Sequence, residues 1–493
     1  MQASTVDSVL AQIRSGPRGP RVAAFFDFDG TLIDGYSAGA LYSHRMRNLE
    51  VGPMELFHTV KLMRTEETLT EEQFGDLLAR GFAGWAGRPV EDVAELGERL
   101  FQQEVAGMLF HETFRLVKAH QRQGHTVVIT TSATRMQVEP LARELGVTEL
   151  LCTELETEDG LLTGRVSGRP PWGAGKLAAV KDYAKMHRVR LERSYAYANG
   201  NEDIDFLSAV GHPHPVNPQP ALAAHANDAG WVALELRRGP GRLDPRPTLR
   251  TAALYGSWIG SCLLGMAVGR VLGDDRRGKD FATSAFAVLS GPMGDVQVHV
   301  IGAANLWSHR PAVFLINHQS ALIDLVVVTN LLRDRLTAVA KKEVKDIPVM
   351  GQLLEWLDFS FVDRGDNAKA LEAMEGAKEQ LRKGVSVIIS PEGTRSITPQ
   401  VGGFKKGAFH LAWQAGVPIV PIVIRNAGEL MWRNAKTARA GVVEVVVHEP
   451  IPTVGWEKKD LDATVEHVHS LYVDTLAEWP GVDSGSMTSS LGR

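Results

Sequence analysis

Short apolar runs recur along the first half of the chain, and amphipathic stretches separate them. Residues 22–28 (VAAFFDF) and 125–131 (HTVVITT) are brief and rich in aromatic or β-branched residues, as buried parallel strands are. We expect further strands at 194–198 and near 231–236, and a helix over 137–145. Strands that alternate with helices in this way predict a doubly wound α/β domain.

A long segment with few strand signals follows the first of these runs. Residues 36–120 are mostly helical in pattern, and we interpret them as a cap inserted into the first domain. Farther along the chain the alternation resumes, with strands expected at 295–301 and 312–317 and a helix from about residue 320. The pattern therefore predicts a second α/β domain after the first.

Residues 237–250 separate the two patterns and have the composition of a linker, with three prolines, two glycines and five arginines. The small, polar residues at the end of the chain favour disorder. The expected boundaries are an N-terminal extension at 1–20, a first domain at 21–236 with its cap at about 36–120, a linker at 237–250, a helical hairpin at 251–293, a second domain at 294–481 and a tail at 482–493.

Residues 252–269 contain no charged side chain and are barely long enough to cross a bilayer. Small residues stand four apart in this run, a spacing that lets helices approach closely in lipid. These pairs are Gly256 and Gly260, Ser257 and Ser261, and Gly265 and Gly269. A second apolar stretch at 281–293 is too short to span.

Four basic residues separate the two apolar stretches: Arg270, Arg276, Arg277 and Lys279. A single span would put the two domains on opposite sides of the membrane. We therefore expect a hairpin of two helices lying in one leaflet, with the basic residues at anionic headgroups. The alternative is a soluble helix pair buried in a protein core.

The composition narrows the choice of partners and compartment. The 493 residues carry a net charge of −5, so no global basic field favours nucleic acid. Cys152 and Cys262 lack metal-type spacing, which fits a reducing compartment and argues against a disulfide scaffold or a zinc site. No secretory signal is visible, so we expect the protein at the cytoplasmic face of a membrane, attached by residues of about 252–293.

Two carboxylates follow the first predicted strand, where α/β sheets place their ligands. Asp27 and Asp29 stand two residues apart in the sequence DFDGT, so both can point into one loop. One carboxylate of such a pair can attack phosphorus while the other protonates the leaving oxygen. The adjacent Gly30 lets the backbone approach a phosphate closely.

Three later segments complete a recognisable pattern: TTSAT at 130–134, GAGK at 173–176 and YANGNED at 197–203. With them, the chain from about 22 to 236 resembles the haloacid-dehalogenase superfamily, in its phosphoserine-phosphatase-like branch. The resemblance implies a Rossmann-like fold with a helical cap. It also implies Mg²⁺-dependent hydrolysis of a phosphomonoester.

The resemblance also implies roles for individual residues. Asp27 would be the nucleophile that forms an aspartyl-phosphate, and Asp29 the general acid/base. Thr131, or alternatively Ser132, would bind the phosphate through its hydroxyl, and Lys176 would neutralise it. The implied magnesium ligands are Asp27, Asp29, Asn199 and Asp203.

One residue departs from this family pattern. Asn199 stands where the family has its first metal-binding aspartate, and an amide oxygen offers Mg²⁺ no charge. Two hypotheses follow. The domain is an active phosphatase, acting on phosphoserine or on a lipid phosphate, or it is an inactive fold that serves as a binding or regulatory module.

Four ordered motifs mark the second domain. His318 lies in NHQS after a predicted strand, and FSFVDR at 359–364, SPEGTRS at 390–396 and GVPIVP at 416–421 follow. Over about 295–450 the chain resembles the glycerol-phosphate and lysophosphatidate acyltransferases. The resemblance implies the acyltransferase α/β fold. It implies transfer of an acyl group from acyl-CoA or acyl-carrier protein to 1-acylglycerol-3-phosphate or a related lysophospholipid, which gives phosphatidic acid in phospholipid biosynthesis.

The chemistry of acyl transfer accounts for these residue types. An alcohol becomes nucleophilic when a base with a pKa near neutrality takes its proton, and a carboxylate holds that base in one tautomer. Arginine grips a phosphate through two hydrogen bonds. The resemblance assigns the base to His318, the orienting carboxylate to Asp324, phosphate binding to Arg364 and Arg395, and the acceptor-binding loop to Glu392 and Gly393.

The spacing of His318 and Asp324 departs from the family pattern, because five residues separate them instead of four. One extra residue on a regular helix turns a side chain by roughly 100°. Asp324 reaches the ring only if the loop absorbs the insertion. A third hypothesis, a non-catalytic lipid-binding membrane protein, rests on this spacing alone, and the retained PEGTR and FVDR motifs argue against it.

Overall fold

The computed structural model describes residues 5–48, 70–236, 244–363 and 367–480. The chain forms two compact units, Met1–Pro240 and Gly241–Arg493, and each is described by itself. Several sequence predictions lie outside the described residues: residues 49–69 of the cap, residues 237–243 of the linker, Arg364 and the tail at 482–493.

A six-stranded sheet forms the core of the first unit. Its strands are β1 Ala23–Phe26, β2 Thr126–Thr134, β3 Glu149–Glu158, β4 Leu161–Ser167, β5 Tyr195–Ala198 and β6 His212–Pro215. They lie in the order β4-β3-β2-β1-β5-β6, and every pair is parallel except β3 with β4. All residues of β1 and β5 are buried, which explains their continuous apolar runs.

Helices cover this sheet and build the cap. They are α1 Thr5–Ser15, α2 Ser37–Arg47, α3 Glu71–Ala83, α4 Val90–Gln103, α5 His111–Arg122, α6 Arg135–Leu145, α7 Ala174–His187, α8 Ile204–Ser208 and α9 Pro220–Ala229. Leu41 of α2, Phe82 of α3 and Leu96 of α4 share a buried cluster with Trp85 and Leu162. This apolar contact seats the cap helices against the β3–β4 hairpin.

The predicted strand near 231–236 is wrong: Leu234 makes only an isolated bridge to Val216. The edge strand is β6, with the sequence HPHP. Its prolines lack an N–H group, which an edge strand tolerates but which hides the strand from sequence patterns. The predicted extension at 1–20 contains α1, whose Ile13 is fully buried.

A seven-stranded sheet forms the core of the second unit. Its strands are β7 Val296–Ile301, β8 Val313–Ile316, β9 Leu336–Lys341, β10 Ser360–Val362, β11 Ser386–Ile389, β12 Ile419–Ile424 and β13 Gly441–Val447. They lie in the order β10-β9-β11-β8-β12-β13-β7, and only β12 and β13 pair antiparallel. The predicted pair of α/β domains is therefore confirmed.

Two long helices precede this sheet and six shorter ones surround it among the described residues. They are α10 Arg246–Leu272, α11 Asp275–Gly294, α12 Ala321–Leu332, α13 Met350–Trp356, α14 Asn367–Arg382, α15 Gly407–Ala415, α16 Ala427–Leu430 and α17 Leu461–Ala477. α10 begins at Arg246, inside the predicted linker at 237–250. Pro247 lies in the first helical turn, where its missing N–H costs nothing.

α10 and α11 pack on each other through glycines. A Cβ atom on Gly278 would lie 2.5 Å from the carbonyl oxygen of Gly265 and 2.9 Å from the Cα of Gly269. Of the predicted small-residue pairs, Gly265 and Gly269 therefore contact the second helix, whereas Gly256 and Gly260 face open space. Within the described part of the chain, only α10 is long and apolar enough to cross a membrane by length and composition.

Candidate active sites

The first site lies at the carboxyl edge of the six-stranded sheet. In the parallel register Phe26 of β1 is level with Ile129 of β2 and Tyr197 of β5, so the loops after these strands share one edge. Asp27 is buried there, and its backbone N–H donates to the carbonyl of Tyr197 at 2.9 Å. Thr131, in the second half of β2, is also buried.

Lys176 connects two carboxylates of this site. Its Nζ lies 3.0 Å from Asp27 Oδ1 and 2.7 Å from Asp203 Oδ1, and all three side chains are buried. Burial alone would lower the pKa of Lys176, but Asp203 and Asp27 reverse that effect and raise the pKa. The amine therefore stays charged where a phosphate would meet Asp27.

Asp29 is held by Ser37, the first residue of α2. Its Oδ1 accepts from the Ser37 backbone N–H at 2.6 Å, and its Oδ2 accepts from the Ser37 hydroxyl at 3.2 Å. Burial raises the pKa of Asp29 to about 7, although the hydrogen bonds from Ser37 oppose the rise. A carboxyl group with that pKa can donate and accept a proton near neutral pH.

Asn199 faces three oxygens of the DFDGT loop. Its amide nitrogen, oriented by the surrounding acceptors, donates to Asp27 Oδ2 at 3.2 Å, to the carbonyl of Asp29 at 2.9 Å and to Thr31 Oγ1 at 3.1 Å. Gly30 makes this approach possible, since a Cβ there would lie 2.3 Å from the amide and the residue has φ +74°. A carboxylate, a carbonyl and an amide thus converge, a donor set that suits Mg²⁺ once the amide turns its oxygen inward.

Two of the implied magnesium ligands contact other residues of the site. The carboxylate of Asp29 is engaged by Ser37, so Asp29 would offer its backbone carbonyl instead. Asp203 lies against Lys176 and holds that cation, which satisfies its charge without a metal. The hydroxyl of Thr131 accepts from the N–H of Ala133 at 3.1 Å, within the irregular part of β2 between Thr130 and Thr134.

The second site lies at the carboxyl end of β8. The His318 Nδ1 atom is 2.7 Å from Asp324 Oδ2, and the ring is partly exposed while the carboxylate is buried. Asp324 Oδ2 also accepts from the backbone N–H groups of Gln319 and Ser320, each at 3.0 Å. The structure therefore brings His318 and Asp324 together despite the extra residue.

The loop accommodates the extra residue because Ser320 forms the N-cap of α12. Ser320 precedes α12, and its hydroxyl accepts from the N–H of Ile323 at 3.4 Å. The backbone between His318 and Ser320 wraps around the Asp324 carboxylate, so the side chain points back at the imidazole from the first helical turn. The extra residue lies in the loop and not in the helix. Asp324 is therefore not rotated by roughly 100° about the helix axis.

Glu392 fixes the backbone of the histidine. Its Oε1 accepts from the His318 N–H at 2.8 Å, and its Oε2 accepts from the Ser396 hydroxyl at 2.7 Å and the Gly402 N–H at 2.8 Å. The Ser396 N–H in turn donates to the carbonyl of His318 at 2.8 Å. These contacts assign Glu392 to positioning of His318, where the sequence predicted contact with substrate.

Replacing Glu392 with glutamine should lower acyl transfer about 10- to 100-fold, the effect of one mispaired buried hydrogen bond. Both carboxylate oxygens accept from N–H groups, so either orientation of the new amide sets an NH₂ against an N–H. Steady-state kinetics should show the loss in kcat. Glu466→Gln, an exposed change on α17, is the control, and wild-type kcat in Glu392→Gln would contradict the positioning role.

Two residues that sequence reasoning did not assign support the same loop. Asn317 exchanges two hydrogen bonds with the backbone of Ile424 on β12, both at 2.7 Å. Gln319 donates to Ile424 and accepts from Gly428. Because they precede and follow His318 in NHQS, the motif itself was their signal.

The predicted phosphate-binding loop after β11 is also described. Gly393 has φ +74°, and a Cβ there would lie 3.3 Å from the Lys405 side chain, which covers it. Arg395 is half-buried, and its Nη1 donates to the carbonyl of Arg433 at 2.9 Å. Arg364 lies outside the described residues, so its predicted role stays a prediction.

Comparison with known proteins gives one family for each unit. The family model for haloacid dehalogenase-like hydrolases matches residues 24–208, and the acyltransferase family model matches residues 297–425. Asp27, Asp29, Lys176 and Asn199 lie in the first match, and the His318 site lies in the second. The matches therefore cover both candidate sites.

Curated relatives align with one half of the chain each. A phosphoserine phosphatase of Mycobacterium tuberculosis is 31% identical over 45% of this chain and 74% of its own length. An uncharacterized acyltransferase of Schizosaccharomyces pombe is 30% identical over 44% of this chain and 78% of its own length. A 1-acyl-sn-glycerol-3-phosphate acyltransferase of Cocos nucifera is 35% identical over 38% of this chain, and the match spans 64% of that relative.

These matches confirm both resemblances inferred from the motifs. They fall on separate units and do not overlap along the chain. The chain therefore belongs to two families at once, since it joins a haloacid dehalogenase-like hydrolase and an acyltransferase in one polypeptide.

Proposed function

We propose that the second unit transfers an acyl group from acyl-CoA or acyl-carrier protein to 1-acylglycerol-3-phosphate, which gives phosphatidic acid. The observation that carries this proposal is the contact of 2.7 Å between His318 Nδ1 and the buried Asp324 carboxylate, with the ring partly exposed. A bond from Nδ1–H to the carboxylate leaves Nε2 free of a proton, so Nε2 can act as a base.

The proposed reaction uses His318 twice. Nε2 takes the proton of the acceptor hydroxyl as its oxygen attacks the thioester carbonyl carbon. The tetrahedral intermediate collapses, the carbon–sulfur bond breaks, and the sulfur leaves with the proton that the imidazolium returns. Asp324 stabilises the imidazolium in between, and Glu392 keeps the backbone of His318 in place.

Labelled acyl-CoA and lysophosphatidate, incubated with the purified chain in mixed micelles, test this proposal. The expected result is labelled phosphatidic acid at a rate proportional to enzyme. Lysophosphatidylcholine and monoacylglycerol serve as alternative acceptors. Acylation of one of these and not of lysophosphatidate would mean that this other lipid is the acceptor. Acylation of none of the three would reject the proposal.

We further propose that the first unit hydrolyses a phosphomonoester through an aspartyl-phosphate on Asp27. Asp27 attacks phosphorus while Asp29 protonates the leaving oxygen, and Asp29 then takes a proton from the water that hydrolyses the acyl phosphate. Lys176 neutralises the phosphate throughout. Asp27, the carbonyl of Asp29 and Asn199 would hold Mg²⁺, which supplies positive charge to the phosphate oxygens.

A second hypothesis for this unit is an inactive fold that binds a ligand or partner. It is favoured by Asn199, because the amide contributes no charge to the magnesium site. Phosphoserine, after the M. tuberculosis relative, and lysophosphatidate are the first substrates to compare. Phosphate release from either supports catalysis, and none from a broader panel supports the binding module.

We also propose that the α10–α11 hairpin attaches the chain to the cytoplasmic face of a membrane. One face of the hairpin contributes Trp258 and Phe286 to the buried core. The other leaves Leu263, Leu264 and Val288 more than half exposed. An apolar face of that kind, beside four basic residues, suits the boundary between headgroups and acyl chains of an anionic leaflet.

The double variant Leu263→Asp, Leu264→Asp should bind vesicles of phosphatidylcholine and phosphatidylglycerol about tenfold or more weakly, because two exposed apolar side chains are removed from the bilayer. Vesicle co-sedimentation measures the change. Leu161→Asp, a partly exposed leucine in the first unit, is the matched control. Wild-type binding by the folded double variant would contradict attachment through this face.

A further inference from the structure

Two arginines from separate loops contact each other in the second unit. Arg395 Nη1 donates to the carbonyl of Arg433 at 2.9 Å, and Arg433 Nη1 donates to the carbonyl of Arg395 at 3.1 Å. The first arginine follows β11 and the second follows α16, 38 residues later. Both side chains are half-buried, and each guanidinium group lies against the backbone of the other arginine.

No carboxylate compensates this pair in the part of the chain that the structure describes. Neither guanidinium forms an ion pair with an Asp or Glu within 4.0 Å there, whereas Arg425 at the end of β12 pairs with Glu444. Burial and the charge of Arg395 both lower the pKa of Arg433. Two adjacent cations without a counter-ion are unfavourable in the free protein, and a dianion between them relieves that cost.

The pair lies next to the acyltransferase site. Ser396, the neighbour of Arg395, donates its N–H to the carbonyl of His318 at 2.8 Å. The acceptor's reacting hydroxyl and its phosphate are joined by a few bonds of glycerol. A phosphate held by these arginines therefore keeps the hydroxyl within reach of His318.

We propose that Arg433 is a specificity-determining residue, which binds the phosphate monoester of the acyl acceptor together with Arg395. The inference rests on the acceptor class of the proposed function and adds a residue that the motifs do not contain. It predicts selection of a dianionic headgroup over an uncharged or zwitterionic one, because two forked guanidinium groups match phosphate geometry.

A purely mechanical role for Arg433 is already filled by its neighbour. Trp432 Nε1 donates to the carbonyl of Ile397 at 2.9 Å and ties the same two loops together without a charge. A latch between backbone carbonyls has no need of two unpaired cations. The charge is therefore the feature that the proposed role explains.

The test compares Arg433→Gln with Arg439→Gln, which removes an exposed charge from the same segment. Kinetics with lysophosphatidate, lysophosphatidylcholine and monoacylglycerol are measured on the full chain, and calorimetry measures binding of a soluble short-chain lysophosphatidate. We expect Arg433→Gln to raise the KM and the Kd for lysophosphatidate about tenfold or more, the usual effect of a lost charge-assisted bond. The kcat should change less than the KM, and Arg439→Gln and the other acceptors should be little affected.

Equal losses on all acceptors, or effects matching those of Arg439→Gln, would overturn the inference. Trp432→Phe distinguishes phosphate binding from a mechanical latch. It removes the hydrogen bond between the two loops and keeps both arginine charges. If Arg433→Gln does not fold, Arg433→Lys replaces it, with a smaller KM effect expected. If the wild type acylates no lysophosphatidate, the proposed function fails and the binding arm decides: weaker binding by Arg433→Gln supports the site, and equal or absent binding rejects it.

Discussion

Replacing His318 with alanine is expected to lower acyl transfer about 10³-fold or more while the fold is retained. General-base catalysis by a positioned imidazole contributes roughly 10²–10⁴-fold, and no described side chain other than His318 is placed against Asp324 to take the proton. The ring is partly exposed, so its loss leaves no large cavity. The effect should therefore fall on kcat, with an unchanged thermal unfolding midpoint.

Asp324→Asn tests the same pair of residues, and we expect it to lower acyl transfer about 10²–10⁴-fold. Asp324 Oδ2 accepts from the His318 ring and from two backbone N–H groups, and an amide cannot accept all three in one geometry. His299→Ala, on an exposed position of β7, is the control. Acyl transfer by His318→Ala within tenfold of wild type would reject His318 as the base.

Replacing Asp27 with asparagine is expected to abolish phosphate release, again by about 10³-fold or more, because an amide cannot form the aspartyl-phosphate. Lys176 would lose one of its two anionic partners but keep Asp203 at 2.7 Å, so the site should stay assembled. Phosphate release measured over several hours sets the upper limit. Asp205→Asn, an exposed change on α8, is the control, and retained hydrolysis in Asp27→Asn would reject the nucleophile.

The same site sets a pH dependence whose sign follows from two carboxyl groups. Asp29 must be protonated to act as the acid, and burial raises its pKa to about 7. Phosphate release should therefore fall as the pH rises through that value. Asp27 must be ionised to attack, and burial raises its pKa above the usual range although Lys176 opposes the rise. Release should also fall on the acid side, which gives a bell-shaped profile.

Most of the chemistry was predictable because it is encoded in short contiguous motifs. DFDGT places Asp27 and Asp29 after β1, and NHQS places His318 after β8, at sheet edges where parallel strands end. The strands themselves were recognisable since β1, β5 and β8 are fully buried and thus continuously apolar. The motifs and the burial pattern together were enough to predict both folds.

The contacts between distant segments were not predictable from single-sequence patterns. Ser37 binds Asp29 because the cap brings α2 back to the DFDGT loop, and Arg433 meets Arg395 across 38 residues. Glu392 was expected at the substrate, but both of its carboxylate oxygens accept hydrogen bonds from backbone N–H groups, one of them that of His318. In each case the loop conformation, which sequence periodicity does not specify, decides what the side chain meets.

One assay tests most directly whether this chain carries two independent active sites. Purified wild type, His318→Ala and Asp27→Asn are incubated in mixed micelles with labelled acyl-CoA, lysophosphatidate, phosphoserine and Mg²⁺, and phosphatidic acid and free phosphate are followed together. We expect the wild type to form both, His318→Ala to lose only phosphatidic acid, and Asp27→Asn to lose only free phosphate. Phosphatidic acid that forms as fast in His318→Ala as in the wild type, or phosphate release that does not depend on Asp27, would contradict the account.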